Sequence, residues 1–191
     1  MMKKKTKNDA GKYYSLFKTE TGFGAVIASD EGLLEVLLPV TQSAGEMQKY
    51  ISGLYPAATT ESPITKQAAD LLKRYFKGEA VKFDLPLDFS ACTLFQQEVY
   101  QAVGNIPYGA MMSYKSVAVG MDRPKASRGI GSAMARNPLP IIIPCHRVVG
   151  SSGAMTGYSA PGGVEMKKRL LLMEGVKLEK SGKRGNKYEN A

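Results

Sequence analysis

The apolar run from Ile141 to Val149 is interrupted by a proline, and this interruption constrains the fold more than any other feature of the sequence. Pro144 fixes its own backbone and lacks an amide hydrogen, so the run cannot continue as a central strand. Cys145, one of only two cysteines, therefore lies at an irregular place in the backbone and is followed by the only histidine, His146.

A thiol beside an imidazole has two interpretations. The thiolate is the nucleophilic form of cysteine, and a neighbouring imidazole can accept its proton. In an extended segment, however, consecutive side chains point to opposite sides, so a buried thiol next to a surface histidine remains an alternative. The segment that follows, from Gly150 to Gly163, is rich in glycine and serine and contains Tyr158. Its length and polarity favour a functional loop above the thiol.

The first 90 residues predict a small α/β domain. Residues 23–28 and 33–38 flank a polar turn and indicate a β-hairpin. A helix is expected to begin after Ser62, which caps it ahead of a proline, and to end at Gly78. Apolar residues alternate over 81–89 and predict a strand. No residue in this part indicates chemistry.

The second half predicts a helix-turn-helix. A first helix is expected to begin at Thr93, where the sequence allows a capping box. Ser113 then caps a short helix that runs through Val119, and a further helix runs from about Lys125 to Ala135 after a turn. Two short helices joined by a tight turn form this motif.

The last of these helices contains Gly129 and Gly131, although each internal glycine costs about 1 kcal/mol relative to alanine. Something must approach the helix closely. Tight packing against another helix is one explanation. The other is that a slim helix enters the narrow minor groove of DNA.

Composition agrees with a polyanionic partner. Lysine and arginine number 26 against 17 acidic residues, a formal net charge of +9. Two cysteines and one histidine argue against a disulfide framework and a closed metal site. No stretch is apolar enough for a membrane span or a secretory signal. Residues 1–10 and 179–191 are expected to form a disordered basic arm and a basic tail.

The motif Pro144-Cys145-His146-Arg147-Val148, preceded by Asn137-Pro138 and followed by Gly157-Tyr158-Ser159, resembles the active-site signature of the O6-alkylguanine-DNA alkyltransferases. The similarity covers residues 91–178 and continues through Phe95-Gln96, Ile106-Pro107-Tyr108-Gly109, Ser113-Tyr114, Arg128, Gly131, Ala133-Met134 and Glu174-Gly175. It implies a mainly α C-terminal domain, residues 91–178, with a winged helix-turn-helix that binds DNA and transfers the alkyl group. The α/β N-terminal domain, residues 1–90, matches the family only in length and general character.

The resemblance implies a role for each of five residues in catalysis. Cys145 would attack the alkyl carbon irreversibly, without a cofactor or metal, in a single turnover. His146 would take the thiol proton, and Glu174 would orient the imidazole. Asn137 would tie the helix-turn-helix to the active-site turn, and Tyr114 would donate to the departing base.

The resemblance also implies a surface that binds the extruded base and the DNA. Arg128 would fill the vacated stack, and Tyr114 would crowd the rotating phosphate, although a phosphate contact for Arg128 and a core position for Tyr114 remain alternatives. Arg123, Lys125 and Arg136 would bind the phosphates. Met134, Pro140 and Tyr158 would form the walls of the base pocket. The Val148 carbonyl and the Ser159 amide would bind the base.

Three features depart from the family pattern. Tyr100 stands where a tryptophan is usual, Ala160-Pro161 interrupt the small-residue loop, and Cys92 has no matching role. The loop change leaves open the preference between methyl and bulkier groups.

The implied substrate is double-stranded DNA that carries O6-alkylguanine, with O4-alkylthymine as a further candidate. We expect a monomer that does not associate with membranes, located in the cytoplasm or, in a eukaryotic host, the nucleus. A non-catalytic protein that recognises alkylated lesions is the principal alternative. A winged-helix regulator and a cysteine hydrolase are two others.

Overall fold

The structure is a computed structural model, and it describes residues 11–155 and 157–178. The chain divides into two compact units. The first comprises the described residues up to Thr93 together with Pro138–Ile142, and the second comprises Leu94–Asn137 with the described residues from Ile143 onward. The expected arm at 1–10 and tail at 179–191 lie outside the described residues.

The first unit is an α/β unit built on a four-stranded sheet. Its strands run in the order β3-β2-β1-β4, with β1–β2 and β2–β3 antiparallel and β4 parallel to β1. Its elements are β1 (Tyr13–Thr19), β2 (Gly22–Ala28), β3 (Leu33–Thr41), α1 (Ala44–Leu54), β4 (Thr59–Thr60) and α2 (Pro63–Tyr75).

Two predictions for the first unit are confirmed. The hairpin predicted over 23–28 and 33–38 is confirmed as β2 and β3. The start of α2 is also confirmed, since the Ser62 hydroxyl accepts a hydrogen bond from the Thr65 amide and completes a capping box. The chain leaves α2 through a turn that ends at Gly78, whose φ is +87°.

The strand predicted over residues 81–89 is wrong. This segment is extended, but a single bridge between Leu87 and Leu33 is its only sheet pairing among the described residues. The Leu33 amide donates to the Pro86 carbonyl at 2.9 Å, and the Asp88 amide donates to the Leu33 carbonyl at 2.9 Å. The alternating pattern reflects half-burial of one side of an extended segment, which does not require a paired strand.

The second unit is mainly helical. Its elements are α3 (Leu94–Gly104), β5 (Met112–Ser113), α4 (Tyr114–Gly120), α5 (Ser127–Met134), β6 (Val148–Val149) and α6 (Gly163–Met173). The helix-turn-helix is confirmed as α4 and α5, which pack on each other and on α3. Ser113 caps α4 as predicted, because its hydroxyl accepts from the Ser116 amide at 2.9 Å. A short parallel pair, β5 with β6, joins the helix-turn-helix to the segment after Cys145.

In the described part of the chain, no helix combines the length and the apolar character that a membrane crossing requires.

Candidate active site

Cys145 begins a single turn of 3-10 helix, Cys145–Arg147, that directly precedes β6. The turn forms where Pro144 stops the apolar run, and the Arg147 amide donates back to the Pro144 carbonyl at 2.8 Å. Side chains in such a turn diverge instead of alternating, and all three are buried. His146 is therefore not on the surface, and the alternative of a surface histidine is wrong.

His146 is bound to a carboxylate at the end of α6. Its Nε2 lies 2.7 Å from Oε1 of Glu174, and neither side chain is exposed to solvent. Glu174 caps the C-terminus of α6, where Gly175 with a φ of +82° turns the chain away. Burial lowers the pKa of His146 most strongly, while the hydrogen bond and charge of Glu174 act in the opposite direction. The imidazole is therefore neutral near pH 7.

Arg147 binds both oxygens of the same carboxylate. Its Nε donates to Oε2 of Glu174 and its Nη2 to Oε1, both at 2.9 Å. Its Nη1 donates to the Ile106 carbonyl at 2.6 Å. Sequence reasoning assigned no role to this residue. An arginine inside an apolar run was the available signal, because such a charge is buried only with a partner.

Asn137 connects the end of the helix-turn-helix to the active-site turn. Its Nδ2 donates to the Ile143 carbonyl at 2.8 Å, and its side chain also hydrogen-bonds Cys145. Burial raises the pKa of the Cys145 thiol, whereas the Asn137 hydrogen bond and the Lys167 charge act to lower it. Burial prevails, so the resting sulfur is a thiol and its attack requires a proton acceptor.

Lys167 is a second buried cation that sequence reasoning missed. It lies wholly buried on α6, and its Nζ donates to the Val148 carbonyl at 2.5 Å. Burial lowers the pKa of Lys167 to about 8. The signal was its spacing, because Lys167 shares the apolar side of α6 with Leu170 and Leu171, which stand three and four residues further on.

A cavity of about 420 Å³ opens beside Cys145 within the second unit. It is lined by Tyr114, Ser127, Gly131, Met134, Ala135, Cys145, Gly157, Tyr158 and Ser159. The structure thus brings four predicted base-binding residues, Tyr114, Met134, Tyr158 and Ser159, to the nucleophile. Pro140 and Val148 are not among the described residues that line it. Pro140 belongs to the segment that joins the first unit, and the Val148 carbonyl already accepts from Lys167.

The two tyrosines that line the cavity differ in burial and in hydrogen bonding. Tyr114, at the start of α4, is half-buried and lines the cavity instead of filling a core. The hydroxyl of Tyr158 is buried and has no hydrogen-bond partner among the described residues. Burial raises the pKa of both phenols, and the negative charge of the Cys145 thiolate, when it forms, raises each further. Both tyrosines therefore remain donors at neutral pH.

The two glycines of α5 have different surroundings. A Cβ on Gly129 would lie 3.2 Å from the Phe95 ring, so tight packing explains that glycine. A Cβ on Gly131 would meet nothing closer than Tyr114 Cε1 at 3.8 Å, and Gly131 lines the cavity. The packing explanation therefore applies to Gly129 and not to Gly131.

The arginine and lysine residues predicted to contact DNA are exposed on and around α5. Arg128 projects from the helix, and Lys125 lies in the turn before it. Arg123 forms an ion pair with Glu98 at 2.8 Å and packs over the Phe95 ring. Arg136 donates to the Ser132 hydroxyl at 3.0 Å.

Tyr100, which stands where the family usually has a tryptophan, has a structural role. The Tyr100 hydroxyl donates to the Ala133 carbonyl at 3.1 Å and so links α3 to α5. Cys92 is half-buried in the first unit, and burial raises the pKa of its thiol.

In the described part of the chain, no three His, Cys, Asp or Glu side chains are grouped so that they could hold a metal ion.

Family models match both halves of the chain. Residues 12–89 match the ribonuclease-like domain of 6-O-methylguanine DNA methyltransferase, and residues 94–176 match its DNA-binding domain.

Individual proteins agree with these models. The chain is 34% identical over 171 residues to a methylated-DNA–protein-cysteine methyltransferase of Methanosarcina acetivorans, covering 85% of this chain and 98% of that protein. It is 46% identical over 116 residues to the constitutive methylated-DNA–protein-cysteine methyltransferase of Bacillus subtilis, covering 61% and 69%.

Solved structures of similar fold also come from O6-methylguanine methyltransferases. A crystal structure of Mycobacterium tuberculosis O6-methylguanine methyltransferase is similar with a TM-score of 0.67 and 33% identity, covering 85% of this chain and 92% of that one. A crystal structure of OGT from the same organism in complex with DNA has a TM-score of 0.66 and 34% identity over the same shares.

Proposed function

The chain belongs to the family of methylated-DNA–protein-cysteine methyltransferases, and from this premise we propose that it repairs DNA by moving the alkyl group of O6-alkylguanine onto Cys145. The observation that carries the proposal is the position of Cys145. Its thiol lines the cavity, and the next residue is a buried histidine bound to a carboxylate.

The proton transfer follows from the ionisation states of the two groups. Cys145 rests as a thiol and His146 as a neutral imidazole. The Glu174 carboxylate accepts the Nε2 hydrogen, which leaves the lone pair on Nδ1 to take the thiol proton through a bridging water. The sulfur then forms a bond to the alkyl carbon while the carbon–O6 bond breaks, and its electron pair passes to the guanine.

The departing guanine needs hydrogen-bond donors where its charge develops. Tyr114 and the Ser159 amide are the candidate donors at the cavity. The Tyr158 hydroxyl is a third, because a buried donor without a partner costs about 1–3 kcal/mol and an acceptor on the bound base would remove that cost.

The O6 atom of a stacked base cannot be reached in line, so the nucleotide must rotate out of the duplex. In this proposal α5 lies in the minor groove, where the bare surface at Gly131 permits close approach. Arg128 fills the vacated stack, Tyr114 crowds the rotating phosphate, and Lys125 and Arg136 bind neighbouring phosphates.

The product is a thioether, which does not exchange as a disulfide does, so each protein molecule acts once. The test is a titration of the protein against duplex DNA that carries one O6-methylguanine with a tritiated methyl group. We expect transfer to stop at one methyl per protein and to be lost in Cys145→Ala, which still binds the lesion.

Cys92→Ala is the matched control, because it removes the other cysteine, and it retains full transfer. Tight lesion binding without transfer by the unaltered protein would contradict the proposal and favour the non-catalytic recognition protein. Repeated turnover would contradict it in favour of a hydrolase.

A further inference from the structure

We propose that Arg147 is a positioning residue that keeps Nδ1 of His146 free of a proton, and so makes this nitrogen the base of the reaction. The inference deepens the proposed function and rests on it. It assigns Arg147 a part in catalysis although the guanidinium does not line the cavity beside Cys145.

The hydrogen bonds of Glu174 decide where the imidazole hydrogen lies. A carboxylate has about four acceptor positions. Oε1 receives His146 Nε2 at 2.7 Å and Arg147 Nη2 at 2.9 Å. Oε2 receives Arg147 Nε at 2.9 Å and the Gly109 amide at 3.2 Å. With these positions filled by donors, there is no room for a carboxyl hydrogen, so the shared hydrogen belongs to His146 Nε2 and the lone pair to Nδ1.

The charges around His146 support the same state. Arg147 and Glu174 form a buried, neutral ion pair at 2.9 Å. A proton on His146 would add an unbalanced positive charge beside Arg147 and Lys167, and the charges of both act to lower the pKa of His146. Among the described residues, the charged groups that act on the pKa of His146 are Glu174, Arg147 and Lys167.

Without the Arg147 guanidinium, the charge around His146 and Glu174 changes. The negative charge of Glu174 is then unopposed, and a second proton enters the pair. That proton gives either an imidazolium beside a carboxylate, or a carboxyl group that donates to Nε2. In both arrangements Nδ1 carries a hydrogen and cannot accept the thiol proton. Arg147 therefore acts on the reaction through Glu174 and His146.

The test uses the fact that His146 is the only histidine in the chain. Protein labelled with ¹⁵N in histidine gives one pair of ring signals, and their chemical shifts report which nitrogen carries hydrogen. For the unaltered protein we expect hydrogen on Nε2 and a lone pair on Nδ1 at pH 7. For Arg147→Met we expect a hydrogen on Nδ1 at pH 7, and an Nδ1 lone pair that returns only at higher pH.

Alkyl transfer is the second readout. Loss of a positioned general base lowers a rate about 10²–10⁴-fold. We therefore expect the rate of alkyl transfer by Arg147→Met to fall at least about 100-fold at pH 7 and to recover partly at higher pH. Arg147→Lys retains the charge but not the paired hydrogen bonds, and it is expected to retain the Nδ1 lone pair. If the methionine variant does not fold, a hydrogen on Nδ1 in folded Arg147→Lys at pH 7 would overturn the proposal, because this variant keeps the positive charge beside Glu174.

Tyr108→Phe is the control for loss of a partly buried hydrogen bond alone. Its hydroxyl donates to the Met173 carbonyl at 3.1 Å near the end of α6, and its ring lies under Arg147. This variant should lose stability without moving the His146 signals. The proposal is overturned if Nδ1 keeps its lone pair at pH 7 in folded Arg147→Met, or carries hydrogen in the unaltered protein. Because the NMR measurement uses no DNA, its outcome is separate from whether the protein transfers methyl groups.

Discussion

His146 Nε2 lies 2.7 Å from Glu174 Oε1, and both side chains are wholly buried. The carboxylate that orients the histidine is also the counter-charge of buried Arg147. Because one group serves both purposes, the stability of the second unit and the chemistry of Cys145 are expected to depend on the same residue.

Replacing the carboxylate should therefore destabilise the fold. In Glu174→Gln, Arg147 remains buried without a counter-charge, and removing one partner of a buried ion pair costs about 3–5 kcal/mol. Urea unfolding measures the loss. Glu98→Gln is the matched control, because its pair with Arg123 is half-exposed and such pairs contribute at most about 1 kcal/mol. Equal losses for the two variants would contradict this account of Glu174.

Lys167 is expected to tune the Cys145 thiol. Its charge acts to lower the pKa of that thiol, so Lys167→Met should raise it and slow the reaction of Cys145 with iodoacetamide at neutral pH. The rate is measured against pH in a Cys92→Ala background, where Cys145 is the one cysteine left. Lys168→Met, which removes a partly exposed lysine next along α6, should leave the rate profile unchanged. A profile unchanged by Lys167→Met would argue against the coupling.

The same lysine gives a pH dependence of stability. Burial lowers the pKa of Lys167 to about 8 from 10.5, so between these values the unfolded chain binds more protons than the folded one. The free energy of unfolding should then rise with pH through this window, relative to Lys167→Met. Urea unfolding of both proteins at about pH 8 and about pH 10.5, the two ends of this window, gives the difference. If the difference in the free energy of unfolding between the two proteins stays constant or falls with pH, the pKa of Lys167 is not lowered in the folded protein.

The two glycines of α5 should respond differently to alanine. Gly131→Ala gains about 1 kcal/mol of helix propensity and meets only an ordinary contact at 3.8 Å, whereas Gly129→Ala crowds the Phe95 ring at 3.2 Å. We expect the first variant to be the more stable in urea unfolding. It should nevertheless transfer methyl groups from duplex DNA more slowly, because the added methyl group narrows the cavity. A Gly131→Ala protein that is less stable than Gly129→Ala would contradict the assigned surroundings.

Arg128 should matter for duplex DNA and much less for single strands. Extrusion from a duplex costs a few kcal/mol, so losing the residue that fills the vacated stack should slow transfer about tenfold or more. From a single-stranded oligonucleotide the rate of Arg128→Ala should change little. Arg169→Ala removes an exposed charge from α6 and controls for the loss of positive charge. Equal slowing of Arg128→Ala on both substrates would instead indicate a phosphate contact.

The sequence predicted those elements whose signals are local. Ser62 and Ser113 cap helices through bonds to residues three positions away, and both starts are confirmed. The strand expected over 81–89 failed because pairing depends on a distant partner, which Leu33 alone supplies. β1, α1 and α6 were not anticipated.

For the candidate site too, the residues in local motifs were predictable and those that depend on distant contacts were not. The motif around Cys145 and the resemblance it carries indicated the nucleophile, the histidine and the carboxylate. The roles of Arg147 and Lys167 were not predictable, because burial of a charge is decided by residues far along the chain, such as Ile106 and Glu174 for Arg147. The same holds for Gly129, whose neighbour Phe95 lies on another helix.

The most direct measurement is peptide mass spectrometry after incubation with duplex DNA that contains one O6-methylguanine. The account predicts a mass gain of one methyl group, confined to the peptide that contains Cys145 and reaching at most one per protein molecule. An unmodified Cys145 peptide despite tight binding to the lesion, or a methyl group found on another residue, would contradict it.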